Sequence, residues 1–380
     1  MTMPSTIHSS AIYNVGELPI WYGAQLSPSL KTAPFAFKVN EAGLVQLHDG
    51  GTTSDMISGY GADGYHFITS PPGASEWGNI LAKKSLDGLV QLYGSLAGLD
   101  VLEIGGGTLY SAEQMVGALG AASVTLVDPA VVTASPDARI TVRREYFSRT
   151  TDLPHSYKLI VSLNTLEHVP NPQDFLSCIQ HWLADDGVVY LKMPECEESL
   201  EKGDLGLCVH EHLSYFTPGS LDALLSRAGL RRIAQANYQG ALQILAAKAK
   251  PDAGAVCDGS EALVKAFSAK ATAHIDRLRD FGMCNQGQPV AFIGASVGLS
   301  NILHLSGIGK MMDVEIFDGD ALKTGRYLPG FEKPIKLTAD VALEKHRNIF
   351  ITPLNFFSEI KKQISSRPGM ASVAIEAVFP

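Results

Sequence analysis

The sequence predicts an α/β protein, with two doubly wound sheets in series behind a small β-rich N-terminal unit. Three observations carry that prediction. From about residue 97 to 250, short apolar runs of β character alternate with helix-compatible stretches, the spacing of a parallel sheet covered by helices. The run Asp100 to Ile104 stops at Gly105-Gly106-Gly107 and restarts as helix from Tyr110. The same strand, glycine and helix succession returns at Pro289-Val-Ala-Phe-Ile-Gly-Ala-Ser-Val-Gly298, followed by a β run from Val314 to Phe317 that ends in Asp318.

In chain order, residues 1 to about 50 are short apolar runs broken by turn residues, ending in Gly43-Leu-Val-Gln-Leu47. Glycine and aspartate clusters follow. Helical periodicity then runs from Ser75 to Leu96, with apolar Trp77, Ile80, Leu81, Leu86, Leu89, Val90, Leu92 and Tyr93. Strands are expected at 100–104, 123–128, 140–143, 159–163 and 187–193, with two more near 231–236 and 242–248. Helices are expected at 111–119, 172–183 and 218–228. Past Pro251-Asp-Ala-Gly-Ala a long helix should start at Ser260 and reach about Phe281. The expected domains are 1–50, 51–250 and 251–380.

Composition narrows the function classes. A chain of 380 residues with 46% hydrophobic content exceeds one ordinary core, so two or three domains are expected. It has no run of eighteen apolar residues, hence no expected membrane span. The N-terminus has neither the basic start nor the apolar centre of a secretion signal, and a cytoplasmic location is expected. A net charge of −9 disfavours a nucleic-acid partner. The five cysteines (Cys178, Cys196, Cys208, Cys257, Cys284) never form a C-x-x-C pair, and read as reduced thiols. The expected partner is a small molecule, with the chain a monomer or homodimer.

The chemistry gathers where an open α/β sheet binds its ligand, at the C-terminal ends of the strands. Glycines 105, 106 and 107 leave no side chain between backbone and ligand. Asp128, at the tip of the second strand, stands where such sheets hydrogen-bond ribose hydroxyls. The spacing is not the G-x-G-x-x-G of a dinucleotide turn, since Glu103 precedes the glycines and no glycine lies three residues after Gly107. A carboxylate there suits a pyrophosphate poorly. After the fourth strand comes Asn164-Thr-Leu-Glu-His-Val-Pro170, and after the fifth His210-Glu-His-Leu-Ser-Tyr-Phe-Thr-Pro218. His-x-His can supply two zinc ligands, but no cysteine partner has the right spacing, so no metal is expected. Thr217 with Pro218 is good helix-start chemistry, so Tyr215 and Phe216 can equally be core.

The order E-x-G-G-G, L-E-H-V-P, H-E-H-L-S-Y-F resembles the S-adenosylmethionine (SAM)-dependent C-methyltransferases of deoxysugar biosynthesis. Tyr65-His-Phe-Ile-Thr-Ser70 is similar to a segment that precedes their SAM domain. Gly325-Arg-Tyr-Leu-Pro-Gly330 and Thr352-Pro-Leu-Asn-Phe-Phe357 are similar to segments of their C-terminal domain. The resemblance implies a class I methyltransferase fold, Rossmann-like and doubly wound, flanked by the N-terminal unit and a second Rossmann-like domain. It implies SAM as cofactor, with Glu103 at the methionine ammonium. Gly105, Gly106, Gly107, Asp128, Phe147 and Asn164 would complete that site, with Phe147 near the adenine. It further implies His212 as a base, Glu211 beside it, and His168 near the keto or hydroxyl groups of the acceptor. Tyr65, His210 and Tyr215 would be acceptor contacts.

Departures from the family pattern matter as well. The family's N-terminal zinc module needs two C-x-x-C pairs, yet Ala42 stands at one cysteine position and no cysteine precedes Cys178. That unit must be held by packing. Val209 replaces a tyrosine, and Gly294-Ala-Ser-Val-Gly298 lacks the family lysine. If that lysine holds a nucleotide diphosphate, the acceptor has changed. Three functions remain open: C-methylation beside a carbonyl, methylation of oxygen or nitrogen on a small natural-product acceptor, and a non-catalytic scaffold that inherited the fold.

Overall fold

The computed structural model describes residues 11–48, 72–73, 76–131, 133–238, 240–341, 345–368 and 373–380. Its N-terminal strands are β1 (Ile12–Pro19), β2 (Thr32–Val39) and β3 (Val45–Leu47). Then follow β4 (Asp100–Ile104), β5 (Ser123–Val127), β6 (Ile140–Arg143), β7 (Tyr157–Leu163), β8 (Leu183–Pro194), β9 (Ser214–Tyr215), β10 (Leu230–Tyr238) and β11 (Ala241–Lys248). The C-terminal strands are β12 (Pro289–Ile293), β13 (Asp313–Asp318), β14 (Lys336–Leu337), β15 (Asn348–Ile351) and β16 (Ala374–Ala377).

The central sheet has seven strands in the order β10-β11-β8-β7-β4-β5-β6. Order reverses on either side of β4, and the crevice above this switch point faces the glycine turn. The parallel expectation needs one correction. β11 runs antiparallel to both neighbours, because the chain turns straight back from β10 at Gly240 instead of crossing over through a helix. Start signals written in the sequence hold two of the covering helices. Asn171 caps helix Pro172–Trp182 by accepting from the Asp174 amide, and Thr217 forms a capping box with Ser220 for helix Pro218–Arg227.

The C-terminal unit is a five-stranded parallel sheet, β14-β13-β12-β15-β16, with the long helix Ser260–Cys284 before it. Packing crosses the expected domain boundaries. β9, from the middle of the chain, adds to the N-terminal sheet by pairing with β3. One buried cluster joins Phe35 and Phe37 of β2, Tyr215 of β9, Phe267 of the long helix, and Phe292 of the last sheet. The N-terminal unit is thus held without thiolates. Where a family zinc cysteine is expected, the Ala42 carbonyl accepts from the Cys257 amide at 3.0 Å, and the Gly43 carbonyl accepts from the Ser260 hydroxyl at 2.6 Å.

Candidate active site

The glycine turn is shaped by what crowds it. Gly105 has φ +75°, and a Cβ there would lie 2.2 Å from the Thr165 hydroxyl oxygen. Thr165 spans the crevice floor, its hydroxyl lying within hydrogen-bond reach of the Ile104 (3.3 Å), Gly105 (3.1 Å) and Leu163 (3.2 Å) carbonyls. The Asp128 carboxylate accepts from the Gly107 amide at 2.8 Å and from the Ala130 amide at 2.6 Å. Each carboxylate oxygen has capacity left for a hydroxyl donor.

Glu103 is wholly buried at the head of this turn, and neither of its carboxylate oxygens has a hydrogen-bond partner. Burial, and then the Asp128 charge, push its carboxyl up to about 8. A buried acid without donors is costly, and a cationic ligand group would relieve that cost.

Across the switch point the two histidine-bearing loops are stitched together. The Leu213 amide donates to the Glu167 carbonyl at 2.7 Å. The His168 ring meets the Glu211 carbonyl through Nδ1 at 2.9 Å. A carbonyl only accepts, so Nδ1 carries the proton and Nε2 of the neutral ring is left with its lone pair. The His168 and His212 rings then meet edge to face at 4.9 Å. Burial, and secondarily His168, hold the His212 imidazole well below the ordinary histidine range. Glu167 is buried with Oε1 3.8 Å from His168 Nε2, and burial raises its carboxyl. Its Oε1 also accepts from the Asn164 amide nitrogen at 3.3 Å. Asn164 is the one non-glycine residue with positive φ (52°) among the described residues.

The expected residues therefore divide. Glu103, the three glycines and Asp128 gather at the first turn, and Asn164, His168 and His212 gather on the loops beside it. Phe147 is half-buried and packs edge-on against Phe175 at 5.8 Å. His210 and Tyr215, expected as acceptor contacts, are set in packed interior instead. His210 Nε2 meets the Ala33 carbonyl at 3.3 Å and its ring packs on Phe35. Tyr215 donates to the Val209 carbonyl at 3.2 Å and lies against Phe37. The physical reason is β9: pairing Tyr215 with Val45 turns this stretch into the N-terminal sheet. Tyr65 lies outside the described residues.

Beside His212 a cavity of about 260 Å³ opens between the central sheet and the C-terminal unit. Glu195 and Asp204 line it from one side, Ser296–Gly298 and Thr352–Phe356 from the other. Helix Val297–Ser306 grips the loop that leads to His212, through Asn301 donating to the Leu205 (3.0 Å) and Cys208 (3.1 Å) carbonyls. Thr165, Glu167, Glu195 and Thr352 were not among the expected site residues. Only Glu167 had a local signal, its place between Leu166 and His168.

Comparison with known proteins agrees with this geometry. Residues 79–235 match a family described as methyltransferase domain, and residues 239–372 one described as C-methyltransferase C-terminal domain. The chain thus carries a methyltransferase domain followed by a C-methyltransferase C-terminal domain. The C-methyltransferase NovU of Streptomyces niveus is 27% identical over 197 residues, 47% of this chain and 47% of that protein. The chain thus matches about half the length of that curated relative. Among solved structures, the 1,6-didemethyltoxoflavin-N1-methyltransferase of Burkholderia thailandensis, with S-adenosylhomocysteine bound, is 18% identical. The match covers 59% of this chain and 100% of that one, with a TM-score of 0.39. The mitomycin 7-O-methyltransferase MmcR is 16% identical over 46% of this chain and 55% of its own, with a TM-score of 0.37. SAM is the cofactor, and the first turn fits it. The unpartnered Glu103 would take the ammonium, the side-chain-free glycines would admit the ligand to the backbone, and Asp128 would take ribose hydroxyls. Among the described residues no helix is long and apolar enough to cross a membrane.

Proposed function

We propose that this chain methylates a carbon beside the carbonyl of a keto-sugar or related small biosynthetic intermediate, with His212 as the base. One observation carries the reading: the two loops are tied so that a half-buried imidazole, biased to its neutral form, meets a second one of fixed tautomer at 4.9 Å. Carbon beside a ketone is acidic enough for a positioned base to deprotonate near neutral pH. His212 takes that proton into its lone pair, and the electron pair passes to the acceptor oxygen as an enolate. His168, once protonated, or another donor on these loops then stabilises the developing oxyanion. When bound, SAM supplies the electrophilic methyl. Glu103, Asp128 and the glycine turn would hold it, and a crevice shielded from water would favour the transfer.

Solvent deuterium exchange at the acceptor carbon, with S-adenosylhomocysteine in place of SAM, tests the reading. Exchange that depends on His212 is expected. A methylated product formed on oxygen or nitrogen, without exchange at carbon, would replace it with the alternative of O- or N-methylation.

A further inference from the structure

The two histidine loops also carry the parts of a metal site. Among the described residues, Glu167, His168 and His212 form the one group of three whose ligand atoms all lie within 4.8 Å of one another. Proximity alone decides little, because such side chains also cluster without an ion. The way each member is held decides more.

His168 is fixed in the manner of a metal-ligating imidazole. Its Nδ1 donates to the Glu211 carbonyl at 2.9 Å, so the ring presents Nε2 on its other side, 3.8 Å from Glu167 Oε1. A backbone carbonyl on the far ring nitrogen is a usual outer partner of a ligating histidine. Glu167 is 1% exposed, and its Oε1 accepts from the Asn164 amide nitrogen at 3.3 Å. Its Oε2 is buried with no hydrogen-bond partner, a cost that a directly bound cation would remove. His212 closes the triangle, its ring 4.9 Å from that of His168, and it lines the cavity beside the central sheet, which gives an ion a way in.

The dimensions and the donor set select the ion. Zinc bound at about 2.0–2.1 Å holds its ligand atoms roughly 3.4 Å apart, so side-chain shifts of about 1 Å would close these three on it. Two imidazoles and one carboxylate suit zinc, whereas magnesium takes oxygen ligands. Lys192, which acts on Glu167 through its charge, also repels the ion and keeps its binding reversible.

We infer that Glu167, His168 and His212 form a reversible zinc site, in which the ion takes the His212 lone pair that would receive the acceptor proton, and so inhibits methyl transfer. The binding stands on this geometry, and the inhibition rests on the reading of His212 as the base. The site departs from the expectation of no metal, which weighed cysteine partners and not the Glu167 carboxylate.

Calorimetry on the full chain, first stripped with a chelator, tests the site with zinc alone. One equivalent should bind with a Kd below about 100 μM, and magnesium should give no saturable heat. His168→Ala and Glu167→Gln should each weaken zinc by about tenfold or more, while S-adenosylhomocysteine affinity reports that the variants are folded. Cobalt on the unmutated chain reads the ligands without any substitution. It should give visible bands that one equivalent of zinc displaces, with no thiolate charge-transfer band in the near ultraviolet. Zinc should inhibit methyl transfer over the range in which it binds, and the chelator should restore the rate in full. Four results would each overturn the inference: no saturable zinc binding, binding indifferent to both substitutions, a thiolate band, or activity that chelation removes. The deuterium-exchange experiment is run with chelator present. Its failure would therefore leave the zinc binding standing, and absence of zinc binding would leave the His212 reaction untouched.

Discussion

The two glycine turns of this chain use one backbone device and differ in how their acids are satisfied. In both, a parallel strand runs into glycine, a helix follows, and an aspartate at the tip of the next strand accepts two backbone amides. Asp128 accepts from Gly107 and Ala130, and Asp318 accepts from Ala295 and Asp320, both at 2.8 Å. In the C-terminal turn Lys323 completes the set by binding Asp318, so the acid is neutralised within the fold. In the first turn no cation among the described residues binds Asp128, and Glu103 adds a second buried acid with neither oxygen satisfied. The comparison teaches that the fold alone does not make a ligand site. The site is where the fold leaves a polar group that only a ligand can complete.

The largest expected break is at the chemistry that only the first crevice carries. His212→Ala should lower kcat by about 10²–10⁴-fold, the usual worth of a positioned base, while S-adenosylhomocysteine affinity changes by less than about threefold. His304→Ala, on the helix of the second turn, should leave both unchanged. The pH profile sharpens this. The base works neutral, and burial holds the His212 imidazole below the ordinary histidine value. The acid limb of kcat/KM should therefore lie below pH 6.5, and activity should persist at pH 6. A limb at or above 6.5 would mean that another group is the base.

Next in size is Glu103→Gln, which should weaken S-adenosylhomocysteine by about 10–100-fold, since a charged hydrogen bond is lost, whereas Asp318→Asn should not change it. The sign for stability is opposite. The Glu103 carboxyl is raised from 4.5 to about 8 in the fold, so the folded state resists its ionisation, and that cost grows as pH rises from about 4.5 toward 8. Without ligand, Glu103→Gln should therefore raise Tm at pH 8 by a few degrees, and by less at pH 5. Calorimetric titration at pH 7 should also show proton release on binding, because an ammonium beside Glu103 pulls its carboxyl down. Equal proton counts at pH 7 and pH 9 would contradict the assignment.

Much of the first turn was legible because its requirements are local: three glycines, Glu103 and Asp128 lie within 26 residues and follow one strand, turn and helix rhythm. The strands of the central sheet, β12, β13 and the long helix match the expected spans to within a few residues for the same reason, apart from β8, which starts at Leu183 and not near Gly187, whereas β9, β14, β15 and β16 were not expected. The rest depends on pairings that no short window contains. β3 meets β9 across the chain, Gln46 against Ser214, and that pairing takes His210 and Tyr215 into the core. Thr165 matters because it lies under Gly105, 60 residues away. The cavity exists only where Glu195 and Asp204 face Thr352. Antiparallel β11 was misread because strand spacing alone does not give direction.

A pair of glycine substitutions tests the turns at equal strain. Gly105 (φ +75°) and Gly294 (φ +98°) both sit where a Cβ would collide, with Thr165 in one case and with Pro353 at 2.4 Å in the other. Alanine at either should cost about 1–3 kcal/mol of stability, by denaturant titration. Only Gly105→Ala should also weaken S-adenosylhomocysteine. Equal loss of affinity from both would mean that the two turns are coupled.

The smallest expected effect concerns Lys323. Its ammonium and the Asp318 carboxylate are only 18% and 12% exposed, yet Asp318 keeps two backbone donors if Lys323 is removed. Lys323→Met should therefore cost only about 1 kcal/mol, well short of the penalty for stranding a buried charge. In a double-mutant cycle with Asp318→Asn, most of that cost should vanish, because the asparagine no longer needs the cation. A coupling near zero would mean that Lys323 does not neutralise the second acid. The C-terminal turn would then be as open as the first, and the difference between them would have to come from Glu103 alone.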